Sequence, residues 1–557
     1  MHHISAPQAL RSTTVTRFTH LTVDHHSLGD AVPLDELTSN LIHRVNVGDS
    51  LTRTAARSPR ALAIVDGARR LDYSEFNSAV NRLAHSLLVH GIAVGDAVAL
   101  ASHNSAEFLI CYYACAKIGA VCVPINLAWR PHESAYVLAD SRARVLVVHT
   151  ELASEMAQAL DNASTIELIV TIGPSDVAFD TPTTEWEAFT TGSAETDPTV
   201  TIGDRAALTY LYTSGTTSAP KGVVGNHTAI YLESMTMIIE GGFRPDDRFA
   251  ALLPMFHTAQ LNCHCTTAVM VGAAIFVMRG FDAEALLTLI EQESITQLFG
   301  LPMMYRAMLE RADIRRRNLS SVRRALYAMA PMPQDILEEC IEVFDCDFYL
   351  LFGQTEMSPT ATIFRPENQL THPGAVGTPV INVQVEIHDD AGRALPTGTD
   401  GEIVYRGPHL MTEYLGKPDD TDEAFRHGWF HSGDVGHFDS DGILWFTDRH
   451  KDVIKTGGEN VSSLEVEKAM YSAEPAVAEA VVVGLPHAHW SEAITAFVVG
   501  KPGLRLDEND IREKLRQHLD AYKIPKAIVV VDELPKTATG KIRKNEIRGA
   551  HRDFYAR

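Results

Sequence analysis

The stretch from Tyr212 to Val223 reads Tyr-Thr-Ser-Gly-Thr-Thr-Ser-Ala-Pro-Lys-Gly-Val. It follows the apolar run 206–211, which is typical of a buried strand. Glycine lets the backbone approach a ligand closely, and successive N–H groups, hydroxyls and one ammonium form a concave anion site. We therefore expect this loop to hold a polyphosphate. The alternative is a solvated Ser/Thr turn, which Lys221-Gly222 directly after the rigid Pro220 makes less favourable.

One kind of phosphate loop is excluded. In the Walker pattern, a glycine and four intervening residues are followed by Gly-Lys-Ser/Thr at the start of a helix. Here Lys221 follows a proline and precedes Gly-Val-Val, so the loop leads into an extended segment. A kinase-like or GTPase-like P-loop is disfavoured.

The length and charge of the chain limit its class. A chain of 557 residues is too long for one core and predicts about three or four domains or subdomains. Its 45% hydrophobic and 21% charged residues are typical of a globular protein. The net charge of −23 argues against nucleic acid as a partner, because phosphate backbones select basic surfaces. That charge also repels a nucleoside triphosphate, so an ATP site here needs local positive charge or a cation.

The cysteines and the apolar runs indicate the compartment. Seven cysteines without paired spacing favour a reducing environment. The fragment Cys263-His264-Cys265 lacks a second pair at zinc-like spacing and is interpreted as packing. The N-terminus has no continuous apolar region of a signal peptide, and the longest apolar run, 267–278, is too short to cross a bilayer. We expect a soluble, cytoplasmic protein.

The order of strand and helix patterns predicts the fold. Strand and helix candidates alternate up to about residue 373, which predicts parallel strands with helices on both faces. From Gly374 onward, short alternating strands separated by Asp/Gly turns predict a small antiparallel barrel or sheet. The prediction is an α/β fold with an N-terminal extension (1–40), a large domain of two doubly wound βαβ subdomains plus a small β-barrel (41–448), and a smaller mobile α+β domain (449–557).

Four further stretches make chemical sense together with the first. They are Phe352–Glu356, Ser432–Asp434, Asp448–Asp452 and Pro535–Lys541. A bound nucleotide needs a flat face for its base, a carboxylate for ribose hydroxyls, cations for its phosphates and a Mg²⁺ ligand. These are supplied in turn by Phe352, Asp434, Lys221 with Arg449, and Glu356. Lys541 lies on a glycine-flanked loop of a different module, so it could enter and leave the site.

Together, these motifs resemble those of the adenylate-forming superfamily, in particular the acyl-CoA synthetases (fatty-acid–CoA ligases). The resemblance covers about residues 41–545, in the family's order and spacing. The family's loop Tyr-Thr-Ser-Gly-Thr-Thr-Gly-x-Pro-Lys-Gly is matched except for Ser218 in place of glycine. The resemblance implies an AMP-forming acid–thiol ligase that uses ATP, Mg²⁺ and coenzyme A. The acid is first joined to AMP with loss of pyrophosphate, and a thiol then attacks the mixed anhydride.

The resemblance also implies roles for single residues. The phosphate-holding group is Thr213, Ser214, Gly215, Thr216, Thr217 and Lys221. Ala330, Phe352, Gly353, Asp434 and Arg449 would hold the rest of the nucleotide, Thr355 the α-phosphate, and Glu356 with Thr213 the Mg²⁺. Lys541 would stabilise negative charge as it develops between the substrate carboxylate and the α-phosphate. Lys451 matches the hinge position. The loop with Lys455, Gly457, Gly458 and Glu459 would replace Lys541 after rotation and line the pantetheine tunnel.

Several positions depart from the family pattern. Ser218 adds a side chain to the phosphate loop. Phe352 stands where tyrosine is usual, so stacking on adenine is kept and one hydroxyl is lost. Ala328 and Met329 stand in a segment that is usually rich in glycine, which makes that wall of the adenine pocket bulkier.

The acid is less well defined by the sequence. His257, in the motif 253–258, resembles the residue thought to gate access of substrate or CoA. Residues 253–265 contain no Asp or Glu, so an amino acid with its ammonium group is disfavoured. The segment 231–242 would supply an apolar wall that favours a medium-chain or long-chain fatty acid, although Glu233 within it is odd for an alkyl chain. An aryl or steroid-type acid stays open.

The same residues bear on other possible functions and on partners. An adenylating enzyme that loads a carrier-protein thiol is the nearest alternative, and a non-catalytic sensor is disfavoured because Lys541 and Glu356 are present. Nucleic acid and a transmembrane segment are excluded. The basic stretch Arg311–Arg324 is interpreted as a solvated helix end in preference to a membrane contact. A peripheral membrane contact and a homodimer stay open.

Overall fold

The computed structural model describes residues 34–160, 165–213, 219–329, 332–536 and 542–556. The α-helices in these ranges are α1 (Glu36–His43), α2 (Val47–Arg57), α3 (Tyr73–Val89), α4 (Ala106–Ile118), α5 (Pro131–Asp140), α6 (Ala153–Leu160), α7 (Trp186–Thr190), α8 (His227–Glu240), α9 (Thr266–Val271), α10 (Ala283–Glu293), α11 (Pro302–Leu309), α12 (Gln334–Phe344), α13 (Pro418–Ala424), α14 (Ser463–Ala473), α15 (Glu508–Leu515) and α16 (Lys544–Ala550).

The first sheet has seven strands. They are β3 (Ala97–Ala101), β4 (Val121–Pro124), β5 (Val145–His149), β6 (Leu168–Ile172), β7 (Thr183–Glu185), β8 (Ala207–Thr213) and β9 (Lys221–Asn226), in the order β7-β6-β5-β3-β4-β8-β9. All neighbours are parallel except β8 and β9, which form an antiparallel pair. Parallel strands joined through helices are the predicted architecture for this part of the chain.

The second sheet has thirteen strands. Its parallel strands and the edge strand β2 are β1 (Leu62–Asp66), β2 (Arg69–Asp72), β10 (Arg248–Ala251), β11 (Ala274–Val277), β12 (Gln297–Gly300), β13 (Arg324–Ala328) and β14 (Asp347–Gly353). The others are β15 (Thr360–Phe364), β16 (Ala375–Pro379), β17 (Gln384–His388), β18 (Gly401–Arg406), β19 (Phe430–Phe438) and β20 (Leu444–Arg449). The order is β17-β18-β19-β20-β16-β15-β14-β13-β12-β10-β11-β1-β2.

The antiparallel part of this sheet runs from β14 to β17. Antiparallel strands were predicted after Gly374, and all pairs from β14 to β17 are antiparallel. The β14–β15 and β15–β16 pairs connect these strands to the parallel part of the sheet. The strands of the predicted small barrel therefore extend the large sheet. Among the described strands, β17 and β2 are the two edges of this open sheet.

The third sheet is built from the C-terminal part of the chain. Its strands are β21 (Ile454–Thr456), β22 (Glu459–Val461), β23 (Val477–His487), β24 (Ser491–Gly500) and β25 (Ala527–Val530), with β25 parallel to β24. Alternate residues of β23 point to opposite faces, so Val482 packs in one apolar cluster and Val481 in another. Both faces are covered, which gives this α+β module its own core.

The two larger sheets share one apolar cluster. Val98 of β3 and Ile275 of β11 both belong to it, as do ten residues or more of α4. Ser105 begins α4 by accepting a hydrogen bond from the N–H of Phe108, and Gly119 ends it with φ of 72°. Because nearly every side chain of α4 is buried, this helix lies inside the molecule, and its pattern is apolar on all sides.

The first described helix begins inside the predicted N-terminal extension. Asn40 of α1 donates from Nδ2 to the carbonyl of Ile202 at 2.8 Å, and its Oδ1 accepts from the N–H of Ile202 at 3.0 Å. These two bonds hold α1 to the loop before β8. The last residues of the predicted extension, within α1 (Glu36–His43), are thus packed against the rest of the described chain.

The basic stretch Arg311–Arg324 is largely neutralised. Arg311 and Arg317 both contact Glu284, Arg315 lies 2.7 Å from Glu342, and Arg323 lies 2.8 Å from Asp246. Such pairing is what we expect of a solvated helix end, and it leaves little free positive charge for an anionic membrane. Within the described ranges, no helix is both long and apolar enough to cross a bilayer.

Candidate active site

The predicted phosphate loop joins the two strands of a hairpin. Thr213, the last residue of β8, is the register partner of Lys221, the first residue of β9. The loop therefore leads into an extended segment, as predicted. Ser214, Gly215, Thr216 and Thr217 lie outside the described residues, and so does Ser218.

Lys221 lies at one end of a series of contacts. Its Nζ is 2.9 Å from Oδ1 of Asp420 and 5.0 Å from the centre of the Tyr414 ring. The Tyr414 hydroxyl donates a hydrogen bond to Oε1 of Glu356 at 2.8 Å. Lys221, predicted to bind phosphate, and Glu356, predicted to bind Mg²⁺, thus both contact Tyr414, one at its ring and the other at its hydroxyl. They are 135 residues apart in the chain.

Backbone pairing explains why Tyr414 lies there. The segment 412–415 runs beside β9: the N–H of Val224 donates to the carbonyl of Glu413, and the N–H of Leu415 donates to the carbonyl of Gly222. The N–H of Met411 donates to the carbonyl of Glu356 at 2.7 Å. These bonds fix the segment against both the phosphate hairpin and the Glu356 turn.

Glu356 lies in a 3₁₀ turn, Thr355–Met357, directly after β14. Gly353 at the end of β14 has no room for a side chain, because a Cβ there would be 2.0 Å from the carbonyl oxygen of Pro359. Burial raises the pKa of the Glu356 carboxyl, while the Tyr414 hydrogen bond and the charge of Arg449 act in the opposite direction.

The metal prediction fits this chemistry. Among the described residues there is no group of three or more His, Cys, Asp or Glu that could hold a metal ion. Mg²⁺ usually takes one or two protein carboxylates and completes its shell with substrate phosphates and water. Glu356, with Lys221 nearby for the phosphates, would hold Mg²⁺ together with a nucleotide.

The predicted nucleotide residues lie on β14, β19 and β20 of the second sheet. The ring of Phe352 (β14) is 5.5 Å from that of Phe446 (β20). Asp434 (β19) is the register partner of Arg449 (β20), and Arg449 Nε lies 3.0 Å from Asp434 Oδ1. An aromatic face and a buried carboxylate beside a cation are thus available on one side of Glu356. Ala330, predicted to line the adenine pocket, lies outside the described residues, and the preceding Met329 has φ of 71°.

The predicted hinge follows β20. Asp448 accepts hydrogen bonds on Oδ2 from the N–H and the hydroxyl of Ser463, at the start of α14, and on Oδ1 from the N–H of Arg449. Lys451, three residues after Asp448, is exposed, and partial desolvation lowers the pKa of its ammonium. The link between β20 and β21 is therefore short, and Asp448 together with the bond from the Ser462 hydroxyl to the carbonyl of Thr447 joins it to the start of α14.

The loop predicted to line the pantetheine tunnel is a tight hairpin turn. Gly457 and Gly458 have φ of 62° and 91° and connect β21, which contains Lys455, to β22, which begins at Glu459. Two successive positive φ values suit a two-residue hairpin and favour glycine. In the described part of the chain, no hydrogen bond or ion pair joins this turn to Glu356. Lys541, the predicted catalytic lysine, lies outside the described residues.

His257 lies in a turn that is fixed from behind. Asn104 donates from Nδ2 to the carbonyl of Leu253, and its Oδ1 accepts from the N–H of Met255. The His257 ring lies against Phe256, with centroids 4.6 Å apart, and burial lowers its pKa to about 4. Neutral imidazole is therefore the form present near neutral pH. The turn leads into a π-helix, Ala259–Cys265, a geometry that is often found at functional sites.

Three elements meet behind the His257 and Glu356 turns. Thr360 Oγ1 of β15 lies 2.7 Å from Oε1 of Glu233 (α8), 3.8 Å from Sγ of Cys263 and 3.9 Å from Sδ of Met237. Met235 and Ile239 of α8 were predicted to line the apolar wall, and they are 36% and 58% exposed. Met237, on the buried face of α8, is the methionine of this segment that contacts Thr360.

The fragment Cys263-His264-Cys265 is packing, as predicted. All three side chains are buried, and the His264 ring stacks on Phe299 with centroids 4.4 Å apart. Burial lowers the pKa of His264 to about 3.

Two residues at the site were not predicted from the sequence. Tyr414 and Asp420 follow β18 in a segment, Thr412-Glu-Tyr-Leu-Gly-Lys-Pro-Asp-Asp420, that has no phosphate-loop or metal-ligand spacing. Their contacts depend on pairing with β9, almost two hundred residues earlier. Only the run of glycine, proline and acidic residues marked this segment as a loop.

Comparison with known proteins identifies the class. A model of AMP-binding enzymes matches residues 51–415, and a model of the AMP-binding enzyme C-terminal domain matches residues 465–541. The chain belongs to the AMP-binding enzyme family. The first match spans the first sheet and the second sheet up to β18, and the second match spans β23, β24 and β25.

Relatives of this AMP-binding enzyme act on different acids. It is 35% identical over 502 residues to a feruloyl-CoA synthase of Amycolatopsis, covering 90% of this chain and 98% of that protein. It is 34% identical over 504 residues to the fatty acid–[acyl-carrier-protein] ligase ScoC of Streptomyces coeruleorubidus, covering 89% and 94%. The structure of ATP-bound MatB from Rhodopseudomonas palustris is similar with a TM-score of 0.84 and 29% identity, covering 92% of this chain and 100% of that one.

The family resemblance and the α/β fold with a smaller C-terminal module are therefore confirmed. The protein is an adenylate-forming acyl-CoA synthetase, an AMP-forming acid–thiol ligase. ATP, Mg²⁺ and coenzyme A are the cofactors of this enzyme class, as predicted.

Proposed function

We propose that this enzyme activates a medium-chain or long-chain fatty acid as its acyl-adenylate and transfers the acyl group to coenzyme A. The observation that carries the proposal is the series of contacts from Lys221 through Tyr414 to Glu356. It puts a cation for phosphate next to a carboxylate for Mg²⁺, with the Asp434–Arg449 pair close enough to influence the Glu356 charge.

Each residue has a role that follows from its chemistry. Lys221 neutralises β- and γ-phosphate charge, together with Thr213 and the loop residues 214–217. Glu356 holds Mg²⁺, and Thr355 in the same turn contacts the α-phosphate. Phe352 stacks on adenine, and Asp434 accepts hydrogen bonds from the ribose hydroxyls.

The chemistry has two balanced steps. A carboxylate oxygen of the acid forms a bond to the α-phosphorus while the bond to the pyrophosphate oxygen breaks. The thiol of coenzyme A, having lost its proton, then forms a bond to the acyl carbon, and AMP leaves with the electron pair of the broken bond. Lys541 serves the first step, because a cation at the carboxylate and α-phosphate stabilises the charge that develops between them.

One small domain serving both steps needs two positions. We place the large domain at 41–448 and the mobile domain at 449–557, with the hinge at Lys451. The short link held by Asp448 supports this placement, because few bonds need to change for the third sheet to rotate. In the second position, the turn with Lys455, Gly457, Gly458 and Glu459 would take the place of Lys541.

The buried face of α8 supports an apolar acid. The Glu233 carboxylate, which was odd for an alkyl chain, is completely buried, accepts a hydrogen bond from Thr360 on Oε1 and has Oε2 3.3 Å from Nδ1 of His409, so it faces protein groups. Met237 and Cys263 on either side of Thr360 are apolar. An aryl acid is the second candidate, favoured by the 35% identity to a feruloyl-CoA synthase.

The acceptor and the compartment complete the proposal. Transfer to a carrier-protein thiol is the alternative to CoA, and the similarity to ScoC supports it. The seven cysteines are all free thiols, which supports a reducing, cytoplasmic location.

The test is a panel of short, medium, long and aromatic carboxylic acids with ATP, Mg²⁺ and CoA. AMP, pyrophosphate and the acyl-CoA thioester are measured as products. Formation of AMP and thioester with fatty acids in preference to aryl acids supports the proposal. ADP as product contradicts it, and acyl-adenylate that turns over only when a carrier protein is added identifies the alternative acceptor.

A further inference from the structure

Asp420 is a carboxylate located at the predicted phosphate site. It lies in α13, and its Oδ1 is 2.9 Å from Nζ of Lys221. The helix carries three other acidic residues, Asp419, Asp422 and Glu423, which are all exposed. Asp420 alone of the four contacts Lys221 within the described ranges, so the pairing reflects its position on the helix and not only the acidity of the segment.

The surroundings of this pair are those of an anion site. The Lys221 side chain is 22% exposed and the Asp420 side chain 42%, so solvent and ligands can reach both. Beneath the ammonium lies the ring of Tyr414, whose hydroxyl is bonded to Glu356. Among the described residues, no other carboxylate is within ion-pair distance of Lys221.

Phosphate and Asp420 compete for the same charge. An ammonium offers three donors but a single positive charge, and a polyphosphate brings several negative charges to it. A carboxylate that stays beside the ammonium repels the phosphate, and one that leaves gives up its ion pair. In both cases Asp420 makes polyphosphate binding less favourable and polyphosphate release more favourable.

We propose that Asp420 is an exchangeable counter-ion of Lys221 that weakens the hold of the site on ATP and pyrophosphate. The carboxylate gives up the ammonium when a polyphosphate binds and takes it back as pyrophosphate leaves. This inference rests on the proposed function in assigning the phosphates to Lys221. It goes beyond that function because it adds a residue whose charge opposes binding.

The test measures the affinity of the full-length enzyme for inorganic pyrophosphate by calorimetry, once with Mg²⁺ and once with a chelator. Asp420→Asn keeps the shape of the side chain and removes its charge, and Asp420→Ala is the second variant. Each is expected to bind pyrophosphate roughly two- to five-fold more tightly in both arms, the range of a partly exposed ion pair. Asp422→Asn, an equal charge change on the same helix, is the matched control and should leave the affinity unchanged.

A double mutant separates the pair from a general charge effect. In a Lys221→Met background, Asp420→Asn should no longer tighten binding. The proposal is overturned by equal affinity of wild type and Asp420→Asn, by no measurable binding to either, or by a gain that persists in the Lys221→Met background. Weaker binding of the variant only in Mg²⁺ also overturns it, because Asp420 would then be a ligand of the metal.

The outcome is independent of the acid panel. If no acid supports AMP formation but Asp420→Asn still binds pyrophosphate more tightly, the proposed function fails and the counter-ion assignment stands. If the panel yields AMP and thioester but the pyrophosphate affinities are equal, the proposed function stands and the counter-ion assignment fails.

Discussion

Oε2 of Glu233 lies 3.3 Å from Nδ1 of His409, and both side chains are completely buried. The other carboxylate oxygen accepts a hydrogen bond from Thr360, and the other ring nitrogen of His409 lies 3.2 Å from the hydroxyl of Thr236. The carbonyl of His409 accepts a hydrogen bond from Ser358, two residues after Glu356. This buried network joins α8 to the segments on both sides of the Glu356 turn.

Glu233→Gln is expected to destabilise the enzyme. The neutral amide removes the charge that faces His409 and leaves a single acceptor oxygen for Thr360 and His409 to share, at a cost of about 1–3 kcal/mol. The midpoint of urea unfolding measures this. Glu155→Gln, an exposed glutamate on α6, is the control and should leave the midpoint unchanged. An unchanged midpoint for Glu233→Gln would show that the network does not stabilise the fold.

Tyr414→Phe is expected to move the acidic limb of the pH–rate profile to higher pH. Glu356 must be ionised to bind Mg²⁺, and its raised pKa means that activity falls as pH drops through a range above that of an ordinary carboxyl. The phenol donates to Glu356 and so favours its charged form, and without that bond the pKa rises further. Phenylalanine keeps the ring over Lys221, so only the hydroxyl is removed.

The measurement for Tyr414→Phe is ATP–pyrophosphate exchange at limiting Mg²⁺ across the acidic range. Tyr349→Phe, a half-buried tyrosine of β14, is the matched control. An acidic limb at the wild-type position in Tyr414→Phe would contradict the role given to this hydrogen bond.

His257 is expected to act without changing its charge. With a pKa of about 4, the imidazole is almost entirely neutral above about pH 6. His257→Ala should raise KM for the acid by roughly ten-fold, as expected for a lost pocket contact. The shape of the pH profile between neutral and acidic pH should stay that of the wild type. A limb of the profile that disappears in His257→Ala would show that the histidine titrates during turnover.

Met329→Gly is expected to stabilise the fold slightly. Met329 has φ of 71°, in the left-handed region that disfavours residues with a Cβ, and its side chain is 50% exposed. Glycine removes this strain, for a net gain of up to about 1 kcal/mol after its own entropy cost. Met329→Ala keeps the Cβ and should show no gain in the unfolding midpoint. If the glycine and alanine variants unfold at the same midpoint, the change in stability comes from the size of the Met329 side chain and not from backbone strain.

Lys541→Ala is expected to separate the two half-reactions. Loss of the cation that stabilises developing charge should slow acyl-adenylate formation by about 10²–10³-fold. Thioester formation from supplied acyl-adenylate should be close to wild type. Lys501→Ala, an exposed lysine of the same C-terminal module, is the control for both assays. Equal losses in the two half-reactions would contradict the assignment of Lys541 to the first step alone.

Much of the fold followed from local pattern. Strands and helices alternate before residue 373 as predicted, for example in β3, α4, β4, α5 and β5, because apolar runs of strand length and of helix length mark buried elements. The barrel predicted after Gly374 is an extension of the large sheet. The alternation that predicts these strands does not reveal which strand pairs with β15, since pairing partners are chosen by the packing of the whole sheet.

The sequence by itself determined the family and the packing role of Cys263-His264-Cys265, and it predicted the nucleotide residues. The loop around Lys221 and the residues Phe352, Glu356, Asp434 and Arg449 are recognisable because each carries a required chemical group at a characteristic spacing. The sequence alone did not predict which residues these side chains contact. Tyr414, Asp420 and the Glu233–His409 pair join segments between about 58 and 199 residues apart, so only the order of the strands brings them together.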